Sequence, residues 1–96
     1  MSKPDDLVRD YRVAFLRYLP RREEGPLHSG YVLGRAAVAE GVSVLELARV
    51  HHEVLLEVLQ DTPPADLSQV AAAASEFFLE VLATVDMAQR QFLDGK

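Results

Sequence analysis

The chain has 96 residues, room for a single domain, and a core of that size covers only about 60–65% of the surface its unfolded chain would expose. Apolar residues make up 49% and charged residues 26%, which is a globular composition and not a disordered one. A net charge of −5 disfavours nucleic acid and anionic membrane surfaces, which need clustered Lys and Arg; the absence of cysteine excludes disulfides and thiolate chemistry.

The opening stretch from Met1 to Asp6 is polar and acidic, with no apolar signal core. No stretch approaches the ~20 apolar residues that span a bilayer. A soluble, cytoplasmic chain is expected. The first helix is expected from about Asp5 to Leu19. Leu7, Tyr11, Ala14, Phe15, Tyr18 and Leu19 recur at three- and four-residue steps, Arg9, Arg12 and Arg17 fall off that stripe, and Pro20 stops it. Arg17, Arg21 and Arg22, followed by Glu23 and Glu24, predict a solvated helix end.

The second helix is expected from Pro26 to Glu40, with Pro26 in its first turn and Gly41 as a left-handed stop. Leu27, Gly30, Tyr31, Gly34, Ala37 and Val38 define its face. Each mid-helix glycine costs ~1 kcal/mol against alanine. The spacing of Gly30 and Gly34 therefore points to another helix approaching the bare backbone, the alternative being one tolerated glycine and one kink.

Ser43-Val44-Leu45-Glu46 is a capping box, with Ser43 as N-cap and Glu46 reaching back. The third helix should then run to about Gln60. Glu46, Arg49, Glu53, Glu57 and Gln60 form one polar stripe and almost everything else is apolar, so this helix is expected to be central. Asp61-Thr62-Pro63-Pro64 breaks the chain. Thr62 is expected to cap a fourth helix from Pro64 to about Leu93, roughly 45 Å long at 1.5 Å per residue. Such a helix must kink, overhang or lie along a second subunit. Leu67, Val70, Ala71, Ala74, Phe77, Phe78, Val81, Leu82, Val85 and Phe92 supply its apolar side. The fold class is all-α: a four-helix bundle with a long C-terminal helix.

No cofactor, metal or catalytic site is expected. His51 and His52 are adjacent and point ~100° apart, and Leu55 and Leu56 stand where a helical zinc site would place its second ligand. His51 lies opposite the polar stripe, as a packed histidine with one hydrogen-bonded nitrogen would. Glu53 and Glu57 lie on the solvent stripe, where nothing raises a carboxyl pKa for acid catalysis. Ser29, Ser68 and Ser75 all fall in helical segments, without a nucleophile elbow.

The strongest remaining signal is surplus apolar surface. Phe77, Phe78, Leu79, Val81 and Leu82 fall within six positions, and neighbours on a helix diverge in direction. A second copy or a partner protein is expected to cover the excess; the alternative is a wide core-facing stripe on a fully central helix. The expected dimer and core contacts are Gly30, Gly34, Phe77, Phe78, Val81 and Leu82, with the second and fourth helices burying surface across a two-fold axis. The alternative is a sensor bundle holding a small ligand, with His51 and Tyr31 as polar contacts in an apolar pocket.

The run Tyr31-Val32-Leu33-Gly34-Arg35-Ala36-Ala37-Val38-Ala39-Glu40-Gly41, then Leu45-Glu46-Leu47 and Val50-His51-His52-Glu53, resembles the N-terminal domain of RsbU-type phosphoserine phosphatases, itself similar to the C-terminal domain of the circadian protein KaiA. Phe77-Phe78-Leu79-Glu80-Val81-Leu82 with Met87-Ala88, and Tyr11 with Tyr18-Leu19, follow the same pattern. The resemblance covers nearly the whole chain. It implies a dimeric, non-catalytic helical domain that binds a switch-protein kinase of the RsbT type. That kinase activates a serine phosphatase, which dephosphorylates an anti-anti-sigma factor and so frees a stress sigma factor. The metal-binding aspartates of the phosphatase are absent, so the chain is expected to be the regulatory domain of a longer protein or a free-standing relative. The implied kinase surface comprises Leu27, His28 and Tyr31 near the start of the second helix and Leu79, Ala83 and Met87 on the last.

Overall fold

The computed structural model describes residues 4–94, and the side chains of 6–91; the expected apolar contribution of Phe92 lies outside those side chains. Four helices follow one another: α1 (Pro4–Tyr18), α2 (Glu24–Glu40), α3 (Val44–Gln60) and, after a single 3-10 turn at Pro64–Asp66, α4 (Leu67–Asp94). Among the described residues there is no strand, as the all-α expectation required.

The α1 stripe buries as its periodicity demands, with Tyr11, Ala14, Phe15 and Tyr18 all inside the core. α2 begins at Glu24, two residues before the expected start, so Pro26 falls in its first turn. It ends on a left-handed Gly41 (φ 73°). The Val42 N–H donates to the Ala37 carbonyl at 2.9 Å and the Gly41 N–H to that of Val38 at 3.2 Å, the paired bonds of a Schellman stop. At the head of α3 the Ser43 hydroxyl accepts from the Glu46 N–H at 3.1 Å. The returning half of the capping box is replaced, because the Glu46 carboxylate turns to Arg49 instead.

Three expectations need correction. Thr62 does not cap α4: its hydroxyl donates to the Val58 carbonyl at 2.6 Å and closes α3, leaving the 3-10 turn to start α4. α3 is not the central helix. It packs on α1 and α4, and Val44, Leu45 and Leu56 stay exposed, Leu45 by 80%. α4 is central, packing against α1, α2 and α3. The third correction concerns Arg22, which is exposed as expected but is tied to a distant helix. It sits in the α1–α2 turn at φ 27°, a region costly for a side-chain-bearing residue. Its guanidinium grips Glu76 of α4 through Nε at 3.0 Å and Nη2 at 2.6 Å. The Tyr18 hydroxyl donates to the same carboxylate at 2.8 Å.

The tightest contact joins α2 to α4. A Cβ on Gly34 would lie 2.6 Å from the Val81 carbonyl oxygen and 2.8 Å from Thr84 Cβ, whereas one on Gly30 would meet Phe77 and Val81 only at 3.4 Å. Gly30 faces Phe77 and Gly34 faces Thr84, so the two helices run in the same direction. α2 ends six residues after Gly34, where Gln91 of α4 still lines a groove with Val38 and Ala39, and α4 runs on to Asp94. The long helix therefore overhangs, and the molecule measures 49 Å along its longest axis.

His51 occupies the α1–α3–α4 junction. The Tyr11 hydroxyl and His51 Nδ1 share a hydrogen bond of 2.7 Å. The imidazole stacks on Phe78 with centroids 4.1 Å apart and planes 6° from parallel. On the far side of α3, Arg12 of α1 grips Glu57 through Nε at 2.7 Å and Nη2 at 3.0 Å.

Two outcomes follow for chemical denaturation. Gly34→Ala should lose about 1–3 kcal/mol through overpacking against backbone, while Gly30→Ala should be neutral or gain up to ~1 kcal/mol from helix propensity. Burial, with His52 beside it, holds the His51 pKa below the ordinary histidine value. The fold thus prefers neutral His51, and the unfolded chain takes up its proton first as pH falls. That contribution should be full above about pH 6.5 and decline below it, toward the lowered folded pKa. Melting temperatures between pH 7.5 and 5.5 should fall for the wild type and fall less for His51→Asn.

Candidate protein-docking surface

The residues singled out in the sequence divide between interior and surface. Gly30, Gly34, Phe77 and Val81 are buried together inside one chain, because the glycines admit α4 directly onto α2. They are therefore not free to meet a second subunit, and the expected α2–α4 burial across a two-fold axis is corrected to an internal contact. Phe78 and Leu82 are half-buried, and Phe78 stacks on the His51 ring of α3.

The other set lies at the surface. Leu27 is half-buried against the core. His28 is exposed, its ring centroid 5.3 Å from that of Tyr31. The Tyr31 hydroxyl accepts from Arg35 Nη1 at 3.0 Å, and the Arg35 guanidinium lies 5.8 Å from the Tyr31 ring centroid. Leu79 is 64% exposed, Met87 54%, and Ala83 between them is exposed. Their four-residue spacing makes one stripe along α4. It converges on α2 at its lower end, where Met87 and Tyr31 line one open groove with Arg35, Val38, Thr84 and Ala88.

A second groove runs along the opposite flank of α2, against α1. Val13, Arg17, His28, Val32, Leu33 and Ala36 line it, and Val13 and Val32 are about half exposed. Sequence reasoning passed over Val13, Leu16 and Val32. Their signal was present: each is a large apolar residue standing off the buried stripe of its own helix.

Neither groove brings catalytic groups together. Among the described residues, no group of three His, Asp or Glu could share a metal ion. His51 and Tyr31 do not line a common pocket: the first is engaged by Tyr11 and Phe78 and the second opens on the α2–α4 groove, so the small-ligand arrangement imagined for them is not formed. No helix among the described residues is long and apolar enough to cross a membrane.

Two adjacent substitutions should separate interior from surface. Phe78→Glu would set a carboxylate in the half-buried His51 stack and should cost about 3 kcal/mol or more. Leu79→Glu, on the open stripe, should stay within about 0.5 kcal/mol of wild type in the same denaturation experiment.

The sequence matches the family described as the N-terminal domain of the phosphoserine phosphatase RsbU over residues 9–88. The match reaches from the α1 stripe to the α4 residues that line the α2–α4 groove. No match is found among curated proteins or among solved structures. The matched domain is regulatory and not catalytic, and a helical bundle with open apolar grooves is suited to that role. The chain belongs to the RsbU N-terminal domain family.

Proposed function

We propose that this domain is a docking module of a partner-switching system, in which a switch-protein kinase of the RsbT type seats on the α2–α4 face and so activates a serine phosphatase. The phosphatase then removes phosphate from an anti-anti-sigma factor and releases a stress sigma factor. The domain works in the cytoplasm as a homodimer and contributes contact surface, not chemistry. Family membership supports the regulatory part of this reading.

One observation supports the choice of face. The Leu79–Ala83–Met87 stripe stays open to solvent although it carries two large apolar side chains, and it runs into the groove that Tyr31 lines from α2. Exposed apolar stripes of this kind mark interaction surfaces, and an aromatic residue beside an arginine is a frequent anchor in them. Tyr31 with Arg35 supplies that pair.

Titration of the full chain with an RsbT-type kinase from the same organism tests the reading. The wild type should bind, and the Leu79→Glu/Met87→Glu double variant should bind about tenfold or more weakly. Leu56→Glu, at a comparably exposed position on α3, should bind as the wild type does. No binding by the wild type, or an equal loss from Leu56→Glu, would contradict it.

A further inference from the structure

We propose that the α1–α2 groove is closed by the same groove of a second copy, with α1 antiparallel to its counterpart and Asp10 of each subunit paired with Arg17 of the other. This rests on the dimeric reading above and gives it a face and a register.

Three observations carry it. The first is the apolar patch: Val13 (46%), Leu16 (47%) and Val32 (54%) are exposed, and Ala36 beside them is small and exposed. Of these, Val13, Val32 and Ala36 line a groove of about 400 Å³. The core takes only the floor of the groove, Ala14 and Leu33, and leaves Val13, Val32 and Ala36 outside it.

The second is the charge pattern. Asp10 and Arg17 both line the groove and stand seven residues apart, two helical turns or roughly 10 Å. Val13 and Ala14 lie between them. A two-fold axis passing between Val13 and Ala14 reverses the helix and sets each Asp10 opposite an Arg17. One copy thus supplies both halves of two ion pairs, and self-complementarity is what an isologous dimer requires. A different protein would have to carry the same charges in reverse register.

The third is that these charges are not committed elsewhere. Arg17 has no ion-pair partner among the described residues. Among the described residues Asp10 pairs with its neighbour Arg9 alone, at 3.3 Å, with both side chains more than half exposed, a pairing of little energetic weight. The groove lies on the flank of α2 opposite Met87 and Tyr31, so a dimer formed here leaves the α2–α4 face open.

Sedimentation equilibrium of the full chain over a range of concentrations tests the proposal through a charge-swap cycle. The wild type should be dimeric. Asp10→Arg and Arg17→Asp, each of which opposes like charges twice per dimer, should each weaken it about tenfold or more, and the double swap should return it to within about threefold. Circular dichroism confirms that each variant stays helical, as exposed positions should. A chain that remains monomeric at high concentration, a dimer that ignores the single swaps, or single losses that the double swap does not rescue would overturn the proposal. The kinase titration reads the other flank of α2, so failure here is distinguishable from failure of the docking reading.

Discussion

The contact at Gly34 sets the arrangement of the rest. With the Val81 carbonyl 2.6 Å and Thr84 Cβ 2.8 Å from where a side chain would begin, α2 lies directly on the backbone of α4. That approach fixes which side of α2 is inside. Gly30, Gly34 and Ala37 face inward, so Val32, Arg35 and Ala36 must face solvent. It also fixes the two flanks of α2, one closing against α1 and the other against α4. Both grooves are therefore consequences of two glycines. The helix-propensity cost of Gly34, about 1 kcal/mol, is offset by this close approach, whereas Gly30 leaves room for a methyl group.

Polar ties complete the bundle without chemistry of their own. Arg12 with Glu57 joins α1 to α3, and Arg22 with Glu76 and Tyr18 joins the α1–α2 turn to α4. The guanidinium of Arg22 beside Glu76, and that of Arg12 beside Glu57, hold both carboxyls below their usual range. These groups are substantially exposed, so their value is directional more than energetic. Tyr11 and His51 play the corresponding part indoors, where Tyr11 is driven toward its neutral form by burial. No buried side-chain nitrogen or oxygen among the described residues lacks a partner. A core this small stays specific because its few polar groups are all satisfied.

Much of this was legible in the residues, and the exceptions have physical reasons. Periodicity placed α1, α3 and α4 closely, because each carries a clear apolar stripe. The Gly30–Gly34 spacing announced a close helix contact but could not say whether its partner lay in the same chain. Composition alone made α3 look central. Its apolar girth is real, yet Leu45 and Leu56 remain in water, since coverage depends on neighbours and not on hydropathy. Thr62 satisfied the pattern of a cap and was drawn instead to the open Val58 carbonyl one turn back. Arg22 could not have been foreseen at Glu76, as their sequence separation of 54 residues leaves no local signal. Of the exposed apolar residues, Leu79 stood out in the surplus run and Met87 through a family pattern, while Val13 and Val32, off-stripe in their own helices, came together only across α1 and α2.

Open grooves lie on both flanks of α2, whose Gly34 meets the backbone of α4 inside the core. The most direct test of that contact is a nuclear Overhauser spectrum of the isotope-labelled full chain, repeated on a mixture of labelled and unlabelled copies. A strong cross-peak between the Gly34 α-protons and the Thr84 side chain, arising within one chain in both samples, is the expected result. Its absence from the folded protein, or its appearance only between copies, would contradict the internal α2–α4 contact and with it the positions of both grooves.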